Sequence, residues 1–144
     1  MGKILRLIFA PLPSYRGSLG LLALRIIAGA GIILHGYAKI HNISGFASAM
    51  NIPVPLAALS VFTEFLGGMF ILAGFLTPLA ALMLCGNMLV ATVSTINGGA
   101  PFLMKSGVTG WEFPAIYLAI FFAILTLGPG RFSLDAVVFR KHHR

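Results

Sequence analysis

Glu64 stands in PVPLAALSVFTEFLGGMFILAGFL, an apolar run with no other charged side chain. A carboxylate placed there needs a solvated cavity, a proton or a partner, because a charge at mid-membrane depth costs roughly 2.5–3.5 kcal/mol on the insertion scale. Few other side chains could serve it. Arg25 lies inside SLGLLALRIIAGAGIILHGYAK, and His35 and Lys39 lie near the end of the same run. Their four-residue spacing puts His35 and Lys39 on one helical face. Asn87 sits in a third apolar run, beside Cys85 and Gly86. At a rise of about 1.5 Å per residue, both Arg25 and His35 come within reach of Glu64. Two readings follow. In one, Arg25 and Glu64 form an intramembrane ion pair that sets bundle register, and His35 is a satisfied polar residue. In the other, His35, Lys39, Glu64 and Glu112 line a polar pocket open to the outer face, with Trp111 among the candidate binding residues. Such a pocket could take a quinone headgroup or another small polar molecule, with Glu64 or His35 handling protons. Transport of a small solute or ion is a third reading.

The elements that must position these groups follow from composition. Of 144 residues, 58% are hydrophobic, and only ten basic and three acidic side chains are present. Thirteen charges cannot cover the surface of a water-soluble domain. A bilayer core of about 30 Å asks for roughly 20 apolar residues per helix. Four such runs can be read, at about 18–39, 55–76, 78–96 and 111–127, the last being the shortest. They are long and lack two-residue alternation, so strands are a poor alternative. The expectation is a single all-α membrane domain over residues 1–144, a bundle of four transmembrane helices.

Charge placement sets the expected orientation. Lys3, Arg6 and Arg16 precede the first run, and Arg131, Arg140, Lys141 and Arg144 follow the fourth; the long loops carry only Lys39 and Lys105. The positive-inside rule then puts both termini in the cytoplasm. The basic ends read as topology signals and anionic-lipid contacts, so the bilayer is the expected partner and nucleic acid is not. MGKILRLIFAPLP is broken by Pro11 and Pro13 and reads as a segment lying along the inner surface, not a cleaved leader.

Between the second and third runs, GFLTPLA predicts a tight turn, with Gly74 closing one helix and Thr77-Pro78 capping and starting the next. In the loop at 40–56, Ser44 is expected to cap a short surface helix, and Pro53 and Pro55 force an extended approach to the second span. The single cysteine, Cys85, excludes a dithiol mechanism within the chain. No metal constellation is expected: His35 and His41 are six apart, and His142-His143 belongs to a basic tail. No nucleophile–base motif or phosphate loop is present.

Taken in order, LHGYAKI at 34–40, GFASAMNIPVP at 45–55, TEFLGGMFILAGFLTPLAAL at 63–82, GWEFPAIYL at 110–118 and GPGRFSLDA at 128–136 carry a resemblance. The chain resembles the DoxX family of small four-helix membrane proteins from about residue 20 to 137. That resemblance implies a multi-pass protein of the bacterial cytoplasmic (inner) membrane. It implies a membrane subunit of a redox system, interacting with quinone and an oxidoreductase partner, with no covalently bound cofactor and no redox centre of its own. A homo-oligomer is a further expected state. The alternative is a non-catalytic membrane scaffold or assembly partner. By position, His35, Lys39, Glu64 and Glu112 fall in the family's motif stretches. Gly128, Gly130, Arg131, Ser133 and Asp135 fall in the stretch after the fourth span, read as structural: glycines that end the helix around Pro129, Ser133 or Asp135 capping a short helix, and Arg131 meeting Asp135 or lipid phosphate.

Overall fold

The computed structural model describes residues 13–139 apart from 106, 108 and 109. The amino-terminal segment expected along the inner surface, and the basic tail from 140 onward, lie outside the described residues. Among the described residues six helices run in order: α1 Tyr15–Ile40, α2 Ile43–Met50, α3 Val54–Ala73, α4 Thr77–Asn97, α5 Glu112–Leu127 and α6 Leu134–Val138. Three of them, α1, α3 and α4, are long and apolar enough to cross a membrane; α5 is a shorter apolar helix.

Local chemistry accounts for the boundaries. Ser14 opens α1 by accepting from the Gly17 amide at 3.2 Å. Asn42, not Ser44, caps α2: its Oδ1 accepts from the Gly45 amide at 2.9 Å. An N-cap is the residue directly before the first helical turn, and Ser44 already lies inside that turn. Asn51 closes α2 with a left-handed φ of 51°, and α3 starts behind Pro53 with Pro55 in its first turn. Gly74, at φ 66°, ends α3; the Phe75 amide reaches back to the Phe70 carbonyl at 2.9 Å, the pattern of a left-handed helix stop.

The helices form an open ring. α1 packs chiefly on α3, α3 on α4 and α4 on α5, while α1 and α5 barely meet. Between helices in lipid there is no water-driven force, so close van der Waals contact must hold them, and small residues permit it. Gly36 is one such position, where an added Cβ would lie 2.7 Å from the Phe65 backbone nitrogen and 3.1 Å from the Glu64 Cβ. One turn further along α3, Gly67 meets Leu84 of α4 and Gly68 meets Ile32 and Ile33 of α1. The two adjacent glycines therefore serve different neighbours. Ile32, Ile71, Leu84, Phe121 and Ile124 fill the centre.

Residues 13–15 and 131–139 gather at one end of the bundle, the terminal end, where Arg131 Nε donates to the Pro13 carbonyl at 3.0 Å and its guanidinium lies 4.7 Å over the Tyr15 ring. The opposite end, the loop end, carries α2 and the 98–111 connection.

Candidate functional site

Three constellations of polar side chains interrupt the apolar bundle. The deepest is Arg25, 1% exposed on α1. Its Nε donates to the Ile71 carbonyl at 2.9 Å and Nη2 to Leu72 at 3.1 Å, while Nη1 donates to Pro129 and Phe132 at 2.8 Å each. The guanidinium thus satisfies carbonyls at the C-terminal end of α3 and in the turn after α5. A planar fork with five donors suits this task, and a cation suits the negative end of a helix dipole. The expected Arg25–Glu64 pair is not formed. Gly36 is level with Glu64, and Arg25 lies eleven residues, about 16 Å, further along α1, beyond side-chain reach.

Beside Arg25, the carboxylate of Asp135 accepts from the Leu76 amide at 2.8 Å and the Thr77 amide at 2.9 Å. Asp135 therefore caps α4 from a distance in sequence and does not cap its own helix; Ser133 does that, accepting from the Ala136 amide at 3.2 Å. Thr77, expected as the cap of α4, leaves its hydroxyl buried without a partner among the described residues. Gly128 and Gly130 take φ of 81° and 78° around Pro129. Arg131 meets Pro13 and Tyr15, not Asp135.

The second constellation holds Glu64, which is 3% exposed. Both its oxygens lie 2.7 Å from Lys39 Nζ. Asn87 Nδ2 donates to Oε1 at 3.3 Å, and Asn87 Oδ1 accepts from the Ser60 hydroxyl at 2.8 Å. The chain Lys39–Glu64–Asn87–Ser60 ties α1, α3 and α4 together. Lys39 Nζ also lies 4.8 Å over the Phe46 ring, so α2 lies against the network at the loop end. Both Glu64 oxygens are engaged, so within the bundle this group has the form of a polar tie. Ser60 was missed by sequence reasoning, although it lies one turn before Glu64 on the same face.

The third constellation is at the α1–α5 seam. His35 is exposed, its ring centroid 4.4 Å from Phe113 and 6.5 Å from Tyr117. One turn along α1 from His35, Gly31 faces Tyr117 so closely that any Cβ there would run into the phenol oxygen. Among the described residues neither the His35 ring nor the Tyr117 hydroxyl makes a hydrogen bond. Toward the terminal end the same seam opens into a wholly apolar groove of about 460 Å³ lined by Gly20, Ala23, Leu24, Ile27, Ala28 and Ile120. Glu112 stands in the first turn of α5, and Trp111 precedes it with its ring 4.5 Å from Phe102. The structure thus divides the expected pocket: Lys39 and Glu64 pair with each other, His35 turns to α5, and Trp111 joins the loop. Tyr117 and Phe113 were not singled out in the sequence; a lone phenol in an apolar helix was the available signal.

Long apolar helices tied by buried polar groups define a multi-pass helical membrane protein. The DoxX family model matches residues 20–97, more than half of the chain. A curated relative, inner membrane protein YqjF of Escherichia coli (strain K12), is 31% identical over 128 residues, covering 85% of this chain and 94% of its own. The chain belongs to the DoxX family and is a multi-pass protein of the bacterial inner membrane. No solved structure matches it.

Proposed function

We propose that the protein is the membrane subunit of a redox system and binds an amphiphile of the quinone class at the α1–α5 seam, with electrons coming from an oxidoreductase partner. One observation carries this reading: His35 and Tyr117, with no hydrogen-bond partner among the described residues, stand on the thinly packed α1–α5 seam, Tyr117 one turn of α5 and His35 two turns of α1 from residues that line the apolar groove. A polar head over a long apolar tail fits that order. The Tyr117 hydroxyl can donate to a quinone carbonyl, and the His35 ring can donate to or accept from the second oxygen and exchange its proton. Gly31 leaves the room that lets Tyr117 stand at the junction of head site and groove. A bound quinone supplies two-electron, two-proton carrier chemistry; the chain's own residues hold its head, keep its tail in lipid and move protons. In this reading α5 is the fourth span and the basic ends of the chain lie in the cytoplasm. The loop end then faces the periplasm, as the distribution of lysine and arginine supports.

A photoreactive azidoquinone tests the site. Labelling of peptides from α1 and α5, displaced by excess unlabelled quinone, is the expected result; labelling spread over α3 and α4 would count against the seam.

A second reading, a non-catalytic scaffold for a partner protein, is favoured by the closure of the Lys39–Glu64–Asn87–Ser60 chain, which has the form of a structural tie. Under it, His35→Leu and Tyr117→Phe leave membrane redox activity untouched, while substitutions in α2 and the 98–111 loop disrupt assembly.

A further inference from the structure

The 98–111 connection carries an apolar tip that the fold does not bury. Phe102 is 50% exposed, Leu103 56% and Met104 74%. The loop is not slack there. The Trp111 amide donates to the Pro101 carbonyl at 3.2 Å and the Glu112 amide to the Phe102 carbonyl at 3.0 Å. Gly110 packs directly on the backbone of 102–104, where any Cβ would collide. The tip is therefore held in place against the start of α5 by backbone pairing and by the Phe102–Trp111 ring contact.

A helix of 16 residues, as α5 is, spans about 24 Å, short of a hydrocarbon core of about 30 Å. The tip lies directly before the first turn of α5, at one of the two ends where that thickness must be made up. Exposed apolar side chains also stand on the neighbouring helix ends, Val93 and Ile96 on α4 and Phe113 and Ile116 on α5. Irregular backbone is not tolerated in the hydrocarbon itself, but it is at the headgroup boundary, where aromatic rings also settle. Lys105, exposed directly after the tip, can extend to phosphates from that depth.

We infer that Phe102, Leu103 and Met104 form an interfacial anchor that inserts into the headgroup–acyl boundary of the leaflet at the loop end, completing the membrane thickness that α5 alone does not span. The anchor rests on α5 being a span, and it holds the loop-end mouth of the α1–α5 seam, beside Phe113, at the lipid surface.

Trp111 is the sole tryptophan, so Trp111→Phe gives a blank background. Leu103→Trp places a reporter at the tip, and Phe122→Trp, on an exposed position of α5, places one on the helix. Full-length protein is reconstituted in phosphatidylethanolamine/phosphatidylglycerol vesicles whose acyl chains carry bromine near the headgroup or near the methyl end. The anchor predicts that headgroup-proximal bromine quenches the Leu103→Trp emission roughly twofold or more, with iodide quenching several-fold weaker than for free tryptophan amide. Phe122→Trp should respond best to deep bromine. If the helix reporter responds and the tip is quenched by iodide like the free amide, the anchor is wrong and the span stands. A tip shielded from both bromine and iodide means a protein contact, a second copy included, and also overturns it. If the helix reporter sees no bromine, α5 is not a span and the anchor falls with it.

Discussion

Arg25 and Asp135 hold the same α3–α4 turn by its two ends: Arg25 takes the carbonyls of Ile71 and Leu72 that end α3, and Asp135 takes the amides of Leu76 and Thr77 that begin α4. Cation at a C-terminus and anion at an N-terminus is the arrangement the two helix dipoles favour. Pro129 and Phe132, which also accept from Arg25, and the Asp135 amide, which donates to the Gly74 carbonyl at 2.8 Å, bind the chain after α5 into this turn. The terminal end is thereby tied together by hydrogen bonds from α1, the α3–α4 turn and the chain after α5.

Arg25→Met should destabilise the protein in detergent by about 3–5 kcal/mol, since buried carbonyls lose a charged donor. Arg25→Lys should recover only part of this, because a point-like ammonium with three donors cannot reproduce the planar fork. Thermal unfolding of the purified variants reads both.

Asp135→Asn keeps an oxygen for one amide of the α4 start and should cost about 1 kcal/mol; Asp135→Ala should cost about 2 kcal/mol, the upper range for losing a helix cap. An Asp135→Asn melting temperature equal to wild type would mean that the second carboxylate oxygen and the charge contribute nothing.

The Lys39–Glu64 tie should behave as a coupled pair. Each single change, Lys39→Met or Glu64→Leu, leaves a partner charge without its counterion and should cost several kcal/mol, about 3–5 for a buried pair and less for the partly exposed lysine side. The double variant should be more stable than the sum of the singles implies, by about 1–3 kcal/mol in a double-mutant cycle.

The glycines offer a contrast. Gly36→Ala forces a Cβ against the Phe65 backbone, 2.7 Å away, and should cost about 1–3 kcal/mol as overpacking does. Gly86→Ala meets nothing within 4 Å and should be neutral or gain up to about 1 kcal/mol from helix propensity.

The elements were legible because a membrane helix writes itself in hydropathy over some twenty residues, and Gly74 and Pro78 mark the turn between α3 and α4 locally. Arg25's role was not legible. Its partners are backbone carbonyls from 46 to 107 positions away, and a carbonyl has no sequence signature. Asp135 capping α4 from 58 residues away is hidden for the same reason. Glu64's partner was misjudged through register. Depth counted from the helix starts brought Arg25 within reach, but the Gly36–Phe65 contact sets α1 against α3 so that Lys39, one turn past Gly36, reaches the carboxylate. His35 was visible as a costly side chain, yet that it turns to Phe113 and Tyr117 depends on the thin packing between the first and last long helices, which only assembly reveals.

The seam itself is tested most directly by equilibrium binding of a short-tailed benzoquinone analogue to the purified protein. Wild type and Gly86→Ala should bind saturably and alike. Tyr117→Phe and His35→Leu should each weaken binding about 3–10-fold, the range expected for one lost hydrogen bond, with melting temperatures near wild type. Folded wild type that shows no saturable binding, or seam variants that bind as tightly as wild type, would contradict the assignment of this seam as the quinone site.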